Sequence, residues 1–284
     1  MMMRGRKTMV TAVRRSDGSL ATETQPLPTF YSGWLRQTPL IRGVIVLIES
    51  MTLGIKALLY STNITLEEEG EKVSGGMVGI MMAFSLLLAV GLFSILPLFL
   101  TRLFQFESSI VFNLVEGIIR VTLFLVYLRV MSLVPDIKRV FAYHGAEHKA
   151  VNAYEAGASL DIASVKKYSK AHTRCGTSFL FIVMVVHIFV FSLVGLRTTW
   201  LMVLSRIVLI PVIAALSYEF IYYGARYSHN PVMKALLTPG LWLQSFTTRE
   251  PDDAQIEVGI IALQKVIETE KEADTIPAQP LPAA

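Results

Sequence analysis

Met77 to Leu100 is an apolar run of 24 residues without a single charge. A helix crosses the hydrocarbon core of a bilayer with about 20 apolar residues, so this run predicts a membrane span. Ile110 to Val134 predicts a second, carrying Asn113, Glu116, Arg120 and Arg129 within it. Thr177 to Leu196 predicts a third, interrupted only by His187, and Trp200 to Tyr223 a fourth that contains Arg206, Pro211 and Glu219. Pro39 to Tyr60 is also apolar, but Arg42, Glu49 and Lys56 recur in it at seven-residue spacing. Residues so spaced share one helical face, which predicts an interfacial or re-entrant helix rather than a lipid-exposed span.

The polar remainder predicts smaller elements. Asp17-Gly18 lies between the β-prone runs Thr11 to Arg15 and Leu20 to Glu23, the pattern of a β-hairpin. Pro135-Asp136 opens a helix that Gly157 closes, and Asp161 caps a second with Ile162, Val165, Tyr168 and His172 on one face. Pro251-Asp252-Asp253 opens a C-terminal helix with Ile256, Ile260, Leu263 and Ile267 at helical spacing. The fold expected is therefore an all-α polytopic membrane protein. It has about four transmembrane helices, an interfacial or re-entrant helix, a cytoplasmic helical hairpin and a small N-terminal β-hairpin. The organisation expected is an N-terminal segment 1–38, an amphipathic helix 39–60, spans within 77–134, the hairpin 135–176, and spans within 177–224. A C-terminal segment 225–284 follows, ending in a Pro/Ala-rich tail expected to be disordered from about Thr275.

Composition narrows the class. Hydrophobic residues make up 53% and charged residues 17%, with mean hydropathy +0.52, which excludes a disordered chain, a coiled coil and a nucleic-acid-binding arm. The lone Cys175 excludes an intrachain disulfide framework and fits a reducing compartment. Charge distribution predicts orientation. Of 26 Lys and Arg, 21 fall before Met77, between the second and third spans, or after the fourth. The two opposite loops hold only Arg102 and Arg197. The positive-inside rule then puts both termini and the 135–176 segment in the cytoplasm. Residues 1–39 lack an apolar core of signal-peptide length.

Chemistry concentrates in that segment. His144 and His148 stand at i, i+4 in Tyr143-His144-Gly-Ala-Glu147-His148-Lys149, which puts both imidazoles on one helical face, as a chelated divalent metal requires. Ile137, Phe141, Val151 and Glu155 extend the same stripe, which predicts an inward face. His-x-x-Glu-His is the inverted zincin pattern, with Glu147 as general base and both histidines as zinc ligands. His172 and Cys175 follow in His172-Thr-Arg174-Cys175-Gly-Thr-Ser, and folding the hairpin closed would bring all four ligand types together. Four protein ligands would make a closed structural zinc site; three with an open position and Glu147 beside it would make a catalytic one. Glu155 and Glu219 are alternative ligands, and Arg174 and Lys149 are candidate contacts for a substrate anion. A set of hydrogen-bonded core histidines is the competing reading. Within the spans, Glu116 and Arg120 at i, i+4 can neutralise each other, a charged pair that is a functional hypothesis by default in a bilayer; Arg206 is a further intramembrane charge, and the lone His187 is expected as a helix-packing hydrogen bonder.

Tyr143-His-Gly-Ala-Glu-His148-Lys and His172-Thr-Arg-Cys175-Gly-Thr-Ser resemble motifs of the YqhQ-like family of bacterial membrane proteins. The resemblance extends through Met2-Met-Arg-Gly5, Pro39-Leu-Ile-Arg-Gly43, Ser217-Tyr-Glu219, Pro239-Gly-Leu-Trp-Leu-Gln244 and Thr247-Thr-Arg-Glu-Pro-Asp-Asp253. It implies a multi-pass protein of the bacterial plasma membrane, described as a predicted metal-dependent enzyme without an established substrate. Met1 stands where family members carry the Val of a Glu-Gly-Val segment, so the native chain is expected to begin several residues upstream.

Three functions are compatible with these residues. The first is a zinc-dependent hydrolase at the cytoplasmic membrane face. The second is a membrane scaffold or assembly factor with a structural zinc site, and the third, weaker, is a transporter using the intramembrane charges. Membrane lipid and a protein partner or second copy are the expected partners, and nucleic acid is not.

Overall fold

The computed structural model describes residues 1–28, 34–69, 75–195, 198–227 and 229–275. The chain opens with three antiparallel strands in the order β1-β2-β3: β1 Met2–Arg4, β2 Thr8–Arg14 and β3 Leu20–Pro26. Met3 pairs with Val10 and Val13 with Ala21. The β2–β3 turn falls at Asp17-Gly18 as the pattern predicts, with Gly18 at φ +84°, a conformation that glycine adopts without a Cβ penalty. The first strand, β1, is an addition to the expected hairpin.

Helices follow: α1 Ile41–Glu69, α2 Gly75–Val90 and α3 Leu96–Arg102, the last two joined by a π turn at Gly91–Ile95. Next come α4 Ser109–Met131, α5 Pro135–Glu155, the single turn α6 Ile162–Val165 and α7 Gly176–Val194. The chain continues through α8 Thr199–Val208, α9 Ile210–Arg226, α10 Pro231–Thr247 and α11 Asp253–Thr275. By length and composition, four of the described helical stretches can cross a membrane: Ile41–Leu66, Gly76–Arg102, Ser109–Met131 and Gly176–Val194. The α8–α9 pair, bent by 46°, adds a fifth if it is one span. The bend falls beside Pro211, which has no N–H to continue the ladder from the preceding turn. Apolar side chains of α2 face outward, with Ile80 73% and Leu87 72% exposed, as a helix in contact with lipid requires.

The predicted interfacial segment is the first two thirds of a longer helix that itself has the length and hydropathy of a span. It packs chiefly along α9, and its second half also borders the polar layer. Gly54, Ala57, Leu58, Ser61 and Thr65 line a cavity of about 480 Å³ together with β2 and the start of α5. The polar face predicted on it is used. Arg42 pairs with Glu219 of α9, and Glu49 is held by Arg4 and Arg36, whereas Lys56 is exposed. Gly43 permits this seat, because a Cβ there would come within 2.8 Å of the Ala215 backbone.

The polar layer has its own core. Met3, Val10 and Ala12 of the sheet meet Ala146, Ala150 and Ala153 of α5 and Ile256, Ile260 and Leu263 of α11. The two ends of the described chain therefore pack against one another. The α11 start is a capping box: Asp252 Oδ1 accepts from Gln255 N at 2.7 Å, and Gln255 Oε1 accepts from Asp252 N at 3.0 Å. Two expectations are revised. Of the expected stripe His148 is buried, beside the alanines of α5, while Ile137, Phe141, His144 and Val151 are only half-buried and Glu155 is exposed. The second arm of the hairpin is helical for one turn, and residues 166–175 form an irregular segment. The tail expected to be disordered lies, from residue 276, outside the described residues.

Candidate metal centre

Helix α5 supplies two imidazoles one turn apart, with ring centroids separated by 4.4 Å. Opposite them stands Cys175, the residue that caps α7 and accepts from Thr177 N through Sγ at 3.4 Å. One ligand atom each from His144, His148 and Cys175 lies within 4.8 Å of the others. Cys175 Sγ is 3.3 Å from His144 Nε2.

Both imidazoles are oriented from behind by main-chain carbonyls. His144 Nδ1 donates to Thr247 O at 2.9 Å, and His148 Nδ1 donates to Lys170 O at 2.7 Å. A carbonyl only accepts, so each ring carries a proton on Nδ1, and Nε2 is the nitrogen left to the cluster. Metal-binding histidines are commonly held by such a bond on the remote nitrogen. Two nitrogens and a thiolate are a donor set suited to zinc or another divalent transition metal.

The segment preceding Cys175 explains how the cluster closes. Its carbonyls are taken by α5 side chains instead of by a second helix. Lys149 Nζ donates to Lys166 O at 2.8 Å, and Asn152 Nδ2 donates to Ser169 O at 2.7 Å and Ala171 O at 3.0 Å. Gln244 of α10 clasps the same segment. Its Oε1 accepts from His172 N at 2.9 Å, while Nε2 donates to His172 O and Ser178 Oγ, both at 2.8 Å.

Electrostatics follow from this enclosure. Burial alone would raise the Cys175 pKa, but hydrogen bonds and positive charge from His144 and His148 prevail and bring it to about 5. Burial works to lower the His144 pKa, and the bond to Cys175 reverses it upward. Burial raises the Glu147 carboxyl above its ordinary value, against the pull of His144 and His148. Glu147 stands outside the group of three, next to His148 on α5.

The other expected residues are distributed differently. His172 reaches within 5.8 Å of His148 between ring centroids, yet its Nε2 faces Glu155 Oε2 at 3.4 Å. Glu155 also pairs with Arg174, so neither Glu155 nor His172 joins the cluster. Glu219 is bound by Arg42 and by Leu40 N, remote in its contacts from the site. Lys149 is engaged by Lys166 O and by Glu250 at 2.6 Å. Arg174 remains 61% exposed beside a cavity of about 580 Å³ that His172, Arg4, Arg6 and Lys271 also line.

Sequence reasoning missed α10 and what it contributes: Gln244, the Thr247 carbonyl and, just beyond, Arg249. Arg249 N donates to Phe141 O at 2.9 Å, and its carbonyl lies where a Cβ on Gly145 would be only 2.1 Å away. Only glycine fits between the two histidines. The signal was present in the 239–253 motif, without a role attached to it.

Comparison with known proteins gives the chain's family. Residues 38–269 match the family described as "Protein of unknown function (DUF1385)". The chain belongs to that family. It is similar to the "Uncharacterized protein YqhQ" of Bacillus subtilis (strain 168), at 35% identity over 95% of this chain and 90% of the relative. No solved structure matches it. The family carries no stated activity, so chemistry has to be argued from the site.

Proposed function

We propose that this family member is a zinc-dependent hydrolase working at the cytoplasmic face of the bacterial plasma membrane. His144, His148 and Cys175 would hold the metal. The observation that carries the reading is the carbonyl bond on each Nδ1, which leaves two Nε2 atoms to meet the Cys175 sulfur in a single cluster. Diversion of His172 to Glu155 favours three protein ligands over four, the arrangement that keeps a position open. Zinc, when bound, supplies Lewis acidity.

The chain's own residues do the rest. Thr247 O and Lys170 O keep both imidazoles in one tautomer and orientation. Glu147 acts as the general base, taking the proton of the attacking water on its carboxylate. Arg174, exposed beside the 580 Å³ cavity, contacts an anionic group of the substrate, while Lys149 is retained for holding the 166–170 segment. Peptide, lipid and small-molecule hydrolysis use the same parts. The excess of Lys and Arg on the side shared by the packed chain ends supports a cytoplasmic site. Exposed apolar faces such as that of α2 would meet lipid or a second copy.

One observation favours a second reading. The cluster joins α5, the 166–175 segment, α7 and, through Thr247, α10, so zinc there would also pin a membrane scaffold together. Elemental analysis of detergent-purified protein beside Glu147→Gln separates the two. In a hydrolase the variant binds zinc normally and loses turnover in a screen of peptide, ester and phosphoester substrates. Zinc binding without turnover in the wild type would favour the scaffold. Wild-type protein without metal after zinc reconstitution would sink both.

A further inference from the structure

A second site lies inside the helical bundle and shares no residue with the metal centre. A cavity of about 290 Å³ is bounded by α1, α4, α7, α8, α9 and the π turn. Its walls are largely apolar, with Phe124, Phe179, Met184 and Ile213 among them, and Arg120, Arg206 and His187 bring polar atoms to it.

The charges around it do not balance. Glu116, 1% exposed, is the carboxylate of the group. Its Oε1 accepts from Arg120 Nη2 at 2.5 Å and from Arg206 Nε at 3.1 Å, and Oε2 accepts from Arg206 Nη2. One carboxylate against two guanidiniums leaves one positive charge over, in surroundings where unpaired charge is strongly disfavoured. The guanidiniums' remaining bonds go to neutral carbonyls, Arg120 Nε to Phe93 O at 2.7 Å and Arg206 Nη1 to Met202 O at 3.1 Å.

His187 adds an independent observation. It is 9% exposed, lies against the Phe191 ring at 4.3 Å, and its Nε2 has no hydrogen-bond partner among the described residues. Buried polar atoms are almost always paired. An orphan imidazole nitrogen and a surplus cationic charge bordering one apolar cavity are complementary to an anion that also accepts or donates a hydrogen bond. Phe179, Leu180, Val183 and Met184 carry the apolar wall along α7 from His187 toward its N-terminus.

We propose that this cavity binds a single-chain anionic amphiphile, its head between Arg120, Arg206 and His187 and its hydrocarbon chain along α7. The head is a carboxylate or a phosphate, as in a free fatty acid or a lysophosphatidate. Arg120 and Arg206 supply charge, His187 supplies the hydrogen bond, and the aromatic and aliphatic walls exclude a bare polar anion.

Native mass spectrometry of the full chain, released from neutral maltoside and titrated with palmitate, lysophosphatidate or hexadecanol, tests this. One equivalent of an anionic amphiphile should bind at least tenfold more tightly than hexadecanol. His187→Phe, and Ile213→Trp as a variant that fills the cavity while sparing every polar group, should each weaken it at least tenfold with the melting temperature retained. Palmitate binding alone identifies a carboxylate head, and lysophosphatidate binding alone a phosphate head. Equal binding of hexadecanol, binding indifferent to both variants, or stabilisation by chloride with no amphiphile bound would each overturn the proposal.

Discussion

His144 Nε2 and Cys175 Sγ meet at 3.3 Å although 31 residues separate them. That contact joins α5 to the start of α7, and nothing within either helix requires it. It depends on residues 166–175 leaving helical geometry after one turn, so that their carbonyls turn toward α5.

If three residues form the metal site, His148→Ala and Cys175→Ala should each lower zinc affinity by more than about 100-fold, since each deletes a ligand. His172→Ala should retain near-stoichiometric zinc, because its ring is directed to Glu155. Competition with a chromophoric chelator measures all three. Loss of zinc in His172→Ala would restore the four-ligand site.

Gly145→Ala should destabilise the protein by about 1–3 kcal/mol, the usual range for overpacking. Its Cβ would fall 2.1 Å from Arg249 O, so α5 and the 247–253 segment must part. Zinc affinity should fall with it, because Thr247 O orients His144. Thermal unfolding in detergent, with and without zinc, measures both effects.

Gln244→Leu removes three hydrogen bonds from a fully buried side chain. Leaving buried main-chain groups unpaired costs about 1–3 kcal/mol. The variant should melt lower and expose the 166–175 segment to protease faster than wild type. Unchanged cleavage there would show that Gln244 does not hold the segment.

Glu270 ties the β1–β2 turn to α11, accepting from Lys7 N at 2.7 Å and Thr8 N at 3.0 Å. Burial works to raise its pKa, and the bonds from Lys7 and Thr8 prevail and lower it below 4.5. A carboxyl with a depressed folded pKa stabilises fully above its ordinary value, and that stabilisation is lost as pH falls through the folded value. Wild type should therefore exceed Glu270→Gln in melting temperature at pH 7, and the gap should narrow below pH 4.5. A gap unchanged at acid pH would remove the charge from the explanation.

Much of the architecture was legible because it rests on local pattern. Met77 to Leu100 is apolar at every turn, so its helix was readable without a partner. Asp17-Gly18 marked its turn through a conformation that glycine adopts readily, and Pro251-Asp252-Asp253 marked the start of α11, where the structure adds the reciprocal bonds of Asp252 and Gln255. The i, i+4 histidines faced one way by helical geometry alone. Helix α10 was less legible, because Pro239 and Gly240 are poor helix formers; Gly240 there lets the helix approach Ser178.

What the sequence determined by itself was which side chains are ligand types, which helices are apolar throughout, and where turns and caps begin. Only the tertiary structure decided the membership of each cluster. Spacing made His172 as eligible as Cys175 and left Glu155 and Glu219 as substitutes, and competition for partners separated them. Glu155 was taken by Arg174, Glu219 by Arg42, and His172 was clasped at its backbone by Gln244. Likewise Glu116, Arg120 and Arg206 were visible as intramembrane charges, but their imbalance around one cavity follows from how α4, α7 and α8 pack. A local pattern specifies a backbone and its faces. The choice among several possible partners belongs to the whole chain, because it is made by whichever groups burial brings together first and leaves unpaired last.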